Sequence, residues 1–180
     1  DLVSADPTGF GFYQLTQKNA RRSSTAQGFL KPVMNRPNLT VRTLAFVKRI
    51  VFEGQRAVGV ECVQYKGVPA TISAGEVILC GGAINTPQLL QLSGVGPANV
   101  LQPLGVPMVA DLPGVGANLQ DHLEVYVQYA CREPVAVNPH IGWLRKLGVG
   151  AQWLFLRSGI GATNHFEGGG FCRSNDAVDY

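Results

Sequence analysis

Apolar and polar positions alternate along Leu39, Val41 and Thr43, and again along Val58, Val60 and Cys62 within residues 57–65. A period of two marks strands that cover one face. Between them, residues 46–52 form an apolar run broken by Lys48-Arg49, and Glu53-Gly54-Gln55 supplies a hairpin turn. With a further short strand near Thr71, the pattern predicts a β-meander over residues 39–74. Residues 76–80 (Glu76-Val77-Ile78-Leu79-Cys80) are apolar on both faces, as a buried parallel strand would be. They lead through Gly81-Gly82 into a predicted helix, with Asn85 or Thr86 as its cap, Pro87 in its first turn and Gly94 just past its end. Strand, glycine pair and helix make half of a βαβ unit.

The flanks are less regular. Residues 1–19 carry Pro7, Gly9 and Gly11 among the alternating aromatics Phe10, Phe12 and Tyr13. Ser24-Thr25-Ala26-Gln27 has the form of a capping box, so a short helix should follow and end near Pro32, with a turn at Arg36-Pro37-Asn38. Downstream, residues 97–104 predict a second short helix and residues 113–116 a loop. Leu123, Val125, Val127 and Tyr129 alternate as a strand. Residues 141–156 read as a helix broken around Gly148 and Gly150, and Phe171-Cys172 as the start of another strand.

Composition narrows the class. Charged residues are 15% of the 180, against about 25% in average domains. With 46% apolar residues the chain can bury a core, which excludes a disordered tail, a coiled coil and a collagen-like chain. A net charge of +3, dispersed apart from Arg21-Arg22 and Lys48-Arg49, gives no case for a nucleic-acid partner. No apolar run approaches the roughly 18 residues of a membrane helix, and no stretch reads as a signal peptide. The spacing of Cys62, Cys80, Cys131 and Cys172 matches no metal motif. Cys62 and Cys80 lie in strand-like runs and read as small buried hydrophobes. The chain starts at Asp1 without methionine and stops at Tyr180 without a closing element, the expectation for an internal piece of a longer polypeptide.

Few residues suggest chemistry by themselves. No GxGxxG follows a strand; Gly81-Gly82 does follow one but lacks the third glycine, and suits tight packing as well as a ligand. Ser93 sits in no nucleophile elbow, and the side chains of Asp121 and His122 would diverge on a strand, so a hydrolytic triad is not expected. Ser93 more simply finishes a helix and Asp121 fixes a loop. Glu167, alone in the glycine-rich stretch Asn164-His165-Phe166-Glu167-Gly168-Gly169-Gly170-Phe171, is either solvent-exposed or placed to meet a cation.

Gly82-Ala83-Ile84-Asn85-Thr86-Pro87-Gln88-Leu89-Leu90-Gln91-Leu92-Ser93-Gly94-Val95-Gly96 resembles the second signature of the glucose–methanol–choline (GMC) flavin oxidoreductases. Two flanking segments agree: Arg36-Pro37-Asn38-Leu39-Thr40-Val41-Arg42-Thr43, and Leu112-Pro113-Gly114-Val115-Gly116-Ala117-Asn118-Leu119-Gln120-Asp121-His122. Residues 164–171 narrow the resemblance to the choline-oxidising dehydrogenases of that family. It implies an α/β (mixed α+β) fold, part of a Rossmann-like FAD-binding domain with a β-meander, leading into the substrate-binding domain. Residues 1–120 would be the central part of the first and residues 121–180 the crossover toward the second.

The resemblance further implies FAD-dependent alcohol oxidation, with hydride passing from the alcohol carbon to the flavin while a histidine takes the hydroxyl proton. Choline would become betaine aldehyde, with electrons leaving for an acceptor such as the respiratory chain, in the cytoplasm or at the face of the inner membrane. Val47 matches the position whose backbone meets the adenine of FAD, and Gly81 and Gly82 match the strand end that approaches the cofactor. Glu167 matches the acid that faces the trimethylammonium group. None of His122, His140 and His165 matches a catalytic position, and the nucleotide fingerprint, the ribose acid and the catalytic histidine pair fall outside these residues. By itself the chain is therefore expected to be inactive and not to retain FAD. Another alcohol as substrate, or a non-catalytic binding module on the same fold, are the alternatives.

Overall fold

The computed structural model describes residues 8–133, 137, 142–163, 166, 168–173 and 175. In chain order the strands are β1 (Gly9–Phe12), β2 (Gln17–Lys18), β3 (Arg21–Arg22), β4 (Phe46–Glu53), β5 (Arg56–Val63), β6 (Pro69–Ser73), β7 (Val95–Gly96), β8 (Ala110–Asp111) and β9 (Gly168–Phe171). The α-helices are α1 (Gly82–Leu92), α2 (Ala98–Leu101) and α3 (Trp143–Leu156). These elements form two compact units, residues 41–126 and residues 1–40 with 127–180.

The unit of residues 41–126 is built on the antiparallel meander β4-β5-β6. Glu53 pairs with Arg56 across a two-residue turn in which Gly54 takes a φ of +60°, a value open to glycine without a Cβ penalty. The predicted hairpin and third strand are thus present, and Cys62 and Ile50 are buried within the sheet. The predicted extension of the meander over residues 39–45 is not. Leu44 has a φ of +54°, which breaks the extended path, and no ladder partner lies beside this segment among the described residues. Alternation states which face a strand would cover, but its N–H and C=O groups still need a neighbour.

Residues 76–80 correct the reading in the same way. They form no strand, Ile78 is 76% exposed, and Cys80 is exposed rather than buried. A parallel strand exists only between neighbours, and none flanks these residues among those described. Helix α1 begins at Gly82, with Gly81 at its N-cap, so Asn85 and Thr86 lie inside it and neither caps it from the front. Instead the Thr86 hydroxyl reaches back and accepts the Gly81 N–H at 3.0 Å. Pro87 lies within the helix, where its missing N–H removes the bond to the Ala83 carbonyl. The helix stops as predicted: Ser93 is the C-cap and Gly94 follows at φ +87°. From there β7 runs parallel to β8, linked by α2 and a 3-10 turn at Gln102–Leu104, with Val95 and Leu101 buried between them.

In the unit of residues 1–40 and 127–180, β1 pairs antiparallel with β9 from Gly9↔Phe171 to Phe12↔Gly168. Within β9, a Cβ on Gly170 would meet the Gly9 carbonyl of the paired strand, while one on Gly169 would displace the exposed Tyr13 side chain. The strand ends at Phe171, where the sequence pattern had it begin. A π-type turn, Ala26–Leu30, and a 3-10 turn, Lys31–Val33, occupy the place of the first predicted helix. Its capping box is not made; the Ser24 carbonyl, not its side chain, accepts the amides of Gln27 and Gly28. Arg36 and Leu39 close the predicted turn at 3.1 Å.

Helix α3 runs unbroken through Gly148 and Gly150. Each glycine costs the helix only about 1 kcal/mol relative to alanine, which weakens it without ending it. Arg157, left-handed at φ +52°, ends it and lays its guanidinium 4.2 Å over the Trp153 ring, whose Nε1 donates to the Ala20 carbonyl at 2.8 Å. The alternating residues 123–129 form no strand and stand open, Leu123 at 97% exposure.

Candidate functional site

A groove of about 380 Å³ opens in the unit of residues 41–126, between β4, the unpaired segment 77–81 and α1. Val47 and Gly81 line it together, with Phe46, Val77 and Leu89 supplying apolar walls. Two of the three residues singled out for the cofactor thus share one concavity. Gly82 is not among its lining residues; it has a φ of +82° and open space where a Cβ would stand.

Among the described residues β4 is an edge strand, and its backbone polarity at Val47 follows from alternation. Ile50 donates its N–H to the Ser93 hydroxyl, on the side away from β5, so Ile50 and its partner Val60 are a pair without mutual hydrogen bonds. Val60 then points its backbone groups toward β6, and so does Cys62 two residues on. Val47 is the partner of Cys62, with a bulge between Val47 and Arg49 keeping it in step with Ile50. Its N–H and C=O therefore face the open edge of β4, where the groove lies.

The groove's described lining has no charged side chain, and its polar groups are Asn85, Thr86 and Gln88. This chemistry fits a flat, neutral ring with a hydrogen-bonding rim, such as the adenine of FAD. It offers no cation for a pyrophosphate and no acid for a ribose.

A second groove of about 690 Å³ lies between α1 and residues 114–120. Gln91 Nε2 donates to the Val115 carbonyl at 2.9 Å and holds this loop to the helix, and Gly116 (φ +82°) leaves room for that side chain. No sequence signal singled out Gln91.

The remaining candidates separate. Ser93 is buried and its hydroxyl is committed to two backbone groups, at Ile50 and Leu89. Asp121 accepts the amide of His122 at 2.8 Å, a local loop contact, and the His122 ring stands in solvent. Glu167, His140 and His165 lie outside the described residues. Away from the groove, Arg49 and Glu61 form a two-pronged ion pair at 2.5 and 2.8 Å. The Arg49 hydrogen bond holds the Glu61 carboxyl below its ordinary range and raises Arg49 in turn. Tyr126 donates to Glu124 at 2.7 Å, which raises the phenol.

Residues 1–124 match the family described as GMC oxidoreductase. The chain is 53% identical, over 98% of its length, to the oxygen-dependent choline dehydrogenase of Pectobacterium carotovorum subsp. carotovorum (strain PC1), and covers 32% of that protein. It is 51% identical over its whole length to the oxygen-dependent choline dehydrogenase of Pseudomonas aeruginosa (strain UCBPP-PA14), covering 33% of it. The chain thus spans about a third of the length of these curated relatives. Among solved structures, a variant formate oxidase of Aspergillus oryzae RIB40 aligns over 85% of this chain and 27% of its own, with TM-score 0.73 and 28% identity. An FAD-dependent oxidoreductase of Chaetomium thermophilum aligns over 83% of this chain and 27% of its own, with TM-score 0.69 and 27% identity.

Proposed function

Because the chain belongs to the GMC oxidoreductase family, we propose that the whole protein oxidises choline to betaine aldehyde with FAD, and that this chain supplies the adenine end of the cofactor's seat. The observation that carries the reading is the identity of about half the chain, across its full length, to curated choline dehydrogenases. Bound FAD supplies the hydride acceptor.

The residues of this chain bind and orient. The open-edge N–H and C=O of Val47 hold the rim of the adenine ring, Gly81 permits its close approach, and Val77 and Leu89 exclude water from its faces. Gly82, at φ +82° and without a side chain, lets the backbone turn into α1 beside the cofactor. Residues 1–120 belong to the central part of the FAD-binding domain, and residues 121–180 lead toward the substrate-binding domain. Without the rest of the protein the chain neither turns over choline nor retains FAD.

Glu167 anchors the substrate. A quaternary ammonium has no N–H to donate, so its recognition rests on charge and aromatic faces, and a carboxylate supplies the charge. Electrons leave for oxygen or a respiratory acceptor. Among the described residues no helix is long and apolar enough to cross a membrane. The place proposed for the protein is the cytoplasm or the surface of the inner membrane.

The test is Glu167→Gln in the full-length protein. Removing one close charge should raise KM for choline on the order of a hundredfold, while KM for a neutral alcohol of similar size stays put. An unchanged KM for choline would overturn the assignment, and turnover of neutral alcohols in preference to choline would overturn the substrate.

A further inference from the structure

The cofactor seat needs a defined gap between the open edge of β4 and the start of α1, and one buried side chain joins these elements. Ser93 is 9% exposed. Its Oγ accepts the Ile50 N–H at 2.8 Å and donates to the Leu89 carbonyl at 2.6 Å. The Ile50 N–H lies on the same open edge that carries the Val47 backbone groups. The hydroxyl therefore pins the C-terminal end of α1 to that edge.

From this pin the two arms of the groove run outward. Val47 lies three residues, about 10 Å, along the strand, and Gly81 lies twelve residues, about 18 Å, along the helix. The chain is closely packed beside the pin: Gly94 follows at φ +87°, and a Cβ there would meet the Pro107 carbonyl. An apolar residue could fill the space of Ser93 but would leave the buried Ile50 N–H without an acceptor.

We infer that Ser93 is a positioning residue for FAD: by joining the Ile50 amide to the Leu89 carbonyl it sets the opening in which the Val47 backbone and Gly81 receive the adenine ring. The inference rests on the flavin chemistry proposed above. Ser93 does not line the groove itself, so it acts on the adenine end only through the strand and helix that it joins.

The test uses full-length protein, wild type and with Ser93→Ala or Ser93→Cys, freed of flavin and titrated with ADP and, separately, with riboflavin 5′-phosphate. Loss of the hydroxyl should weaken ADP binding about tenfold in Ser93→Ala, and severalfold in Ser93→Cys, whose thiol is only a weak donor and acceptor. Binding of riboflavin 5′-phosphate should stay within about twofold, because that molecule lacks the adenine ring that the β4 edge is proposed to receive. The cysteine variant keeps the side-chain volume and carries the test if the alanine variant does not fold. Equal ADP affinity in wild type and variant would overturn the positioning role while leaving the flavin reading intact. Equal weakening of both ligands would overturn it too, as the mark of general loosening. A wild-type protein that carries no FAD and binds neither ligand would overturn the flavin reading, and this inference with it.

Discussion

Replacing Gly94 with alanine should loosen the junction at which α1 ends against the β8 side of its unit. Gly94 has a φ of +87°, and a Cβ there would run into the Pro107 carbonyl and stand 3.2 Å from the Val109 amide and side chain. The same residue's carbonyl accepts from Val109 at 2.8 Å and Ala110 at 3.2 Å, so displacement strains the start of the β7–β8 pairing. The left-handed backbone costs alanine about 1–2 kcal/mol and the collision about 1–3 kcal/mol. Lower entropy of the unfolded chain returns about 0.4–1 kcal/mol. The net is about 3 kcal/mol, which corresponds to roughly a hundredfold rise in local opening.

Two other glycines separate the contributions. Gly105 has a φ of +70° but open space around its Cβ position, so Gly105→Ala bears the backbone cost alone, about 1 kcal/mol or less. Gly59 has ordinary backbone but faces the Ile72 carbonyl, so Gly59→Ala bears the collision alone. Amide hydrogen exchange read by mass spectrometry on peptides from residues 89–112 should accelerate roughly a hundredfold in Gly94→Ala and less than about tenfold in Gly105→Ala. Equal acceleration in these two variants would show that the close approach of Gly94 to Pro107 contributes nothing, and would refute the reasoning.

Glu61 should titrate below an ordinary glutamate by carbon-detected NMR and return to the ordinary value in Arg49→Met. Because its folded pKa is depressed, the ion pair's contribution to stability is complete above the unfolded carboxylate pKa and disappears as pH falls through the depressed one; an unshifted titration would remove the pair. In the 180-residue chain a thiol reagent should modify Cys80, Cys131 and Cys172 rapidly and Cys62 only after denaturant is added, since Cys62 alone of the four is buried. A fourth fast thiol would contradict the burial of β5.

The legible parts of this fold are those whose signals are local. The hairpin between β4 and β5 depends on Gly54 and the alternation around it, and both are visible in a short window. The end of α1 depends on a glycine that can turn left-handed just after a run of leucines. The GMC resemblance was legible because its signature, residues 82–96, is long and unusual in composition. Start signals were less secure. Thr86 looked like a cap in front of the helix, yet its hydroxyl serves the Gly81 amide from inside it, and Ser24 serves with its carbonyl where its hydroxyl was expected. A hydroxyl's direction depends on the backbone around it, which the residue order leaves open.

By itself, then, the sequence determined the meander's hairpin, the end of α1 at Ser93 and Gly94, and the membership of the chain in its family. It could not determine which apolar stretches become strands. Residues 39–45, 76–80 and 123–129 carry alternating or apolar patterns as clear as that of β5, but a strand is completed by a partner's N–H and C=O groups, and pattern alone supplies none. Tertiary structure also decided the use of Ser93, which in sequence only finishes a helix and in the fold bonds an amide 43 residues away. The groove shared by Val47 and Gly81 has the same origin. Their 34-residue separation means nothing along the chain, and proximity comes from the edge position of β4 and the helix pinned against it.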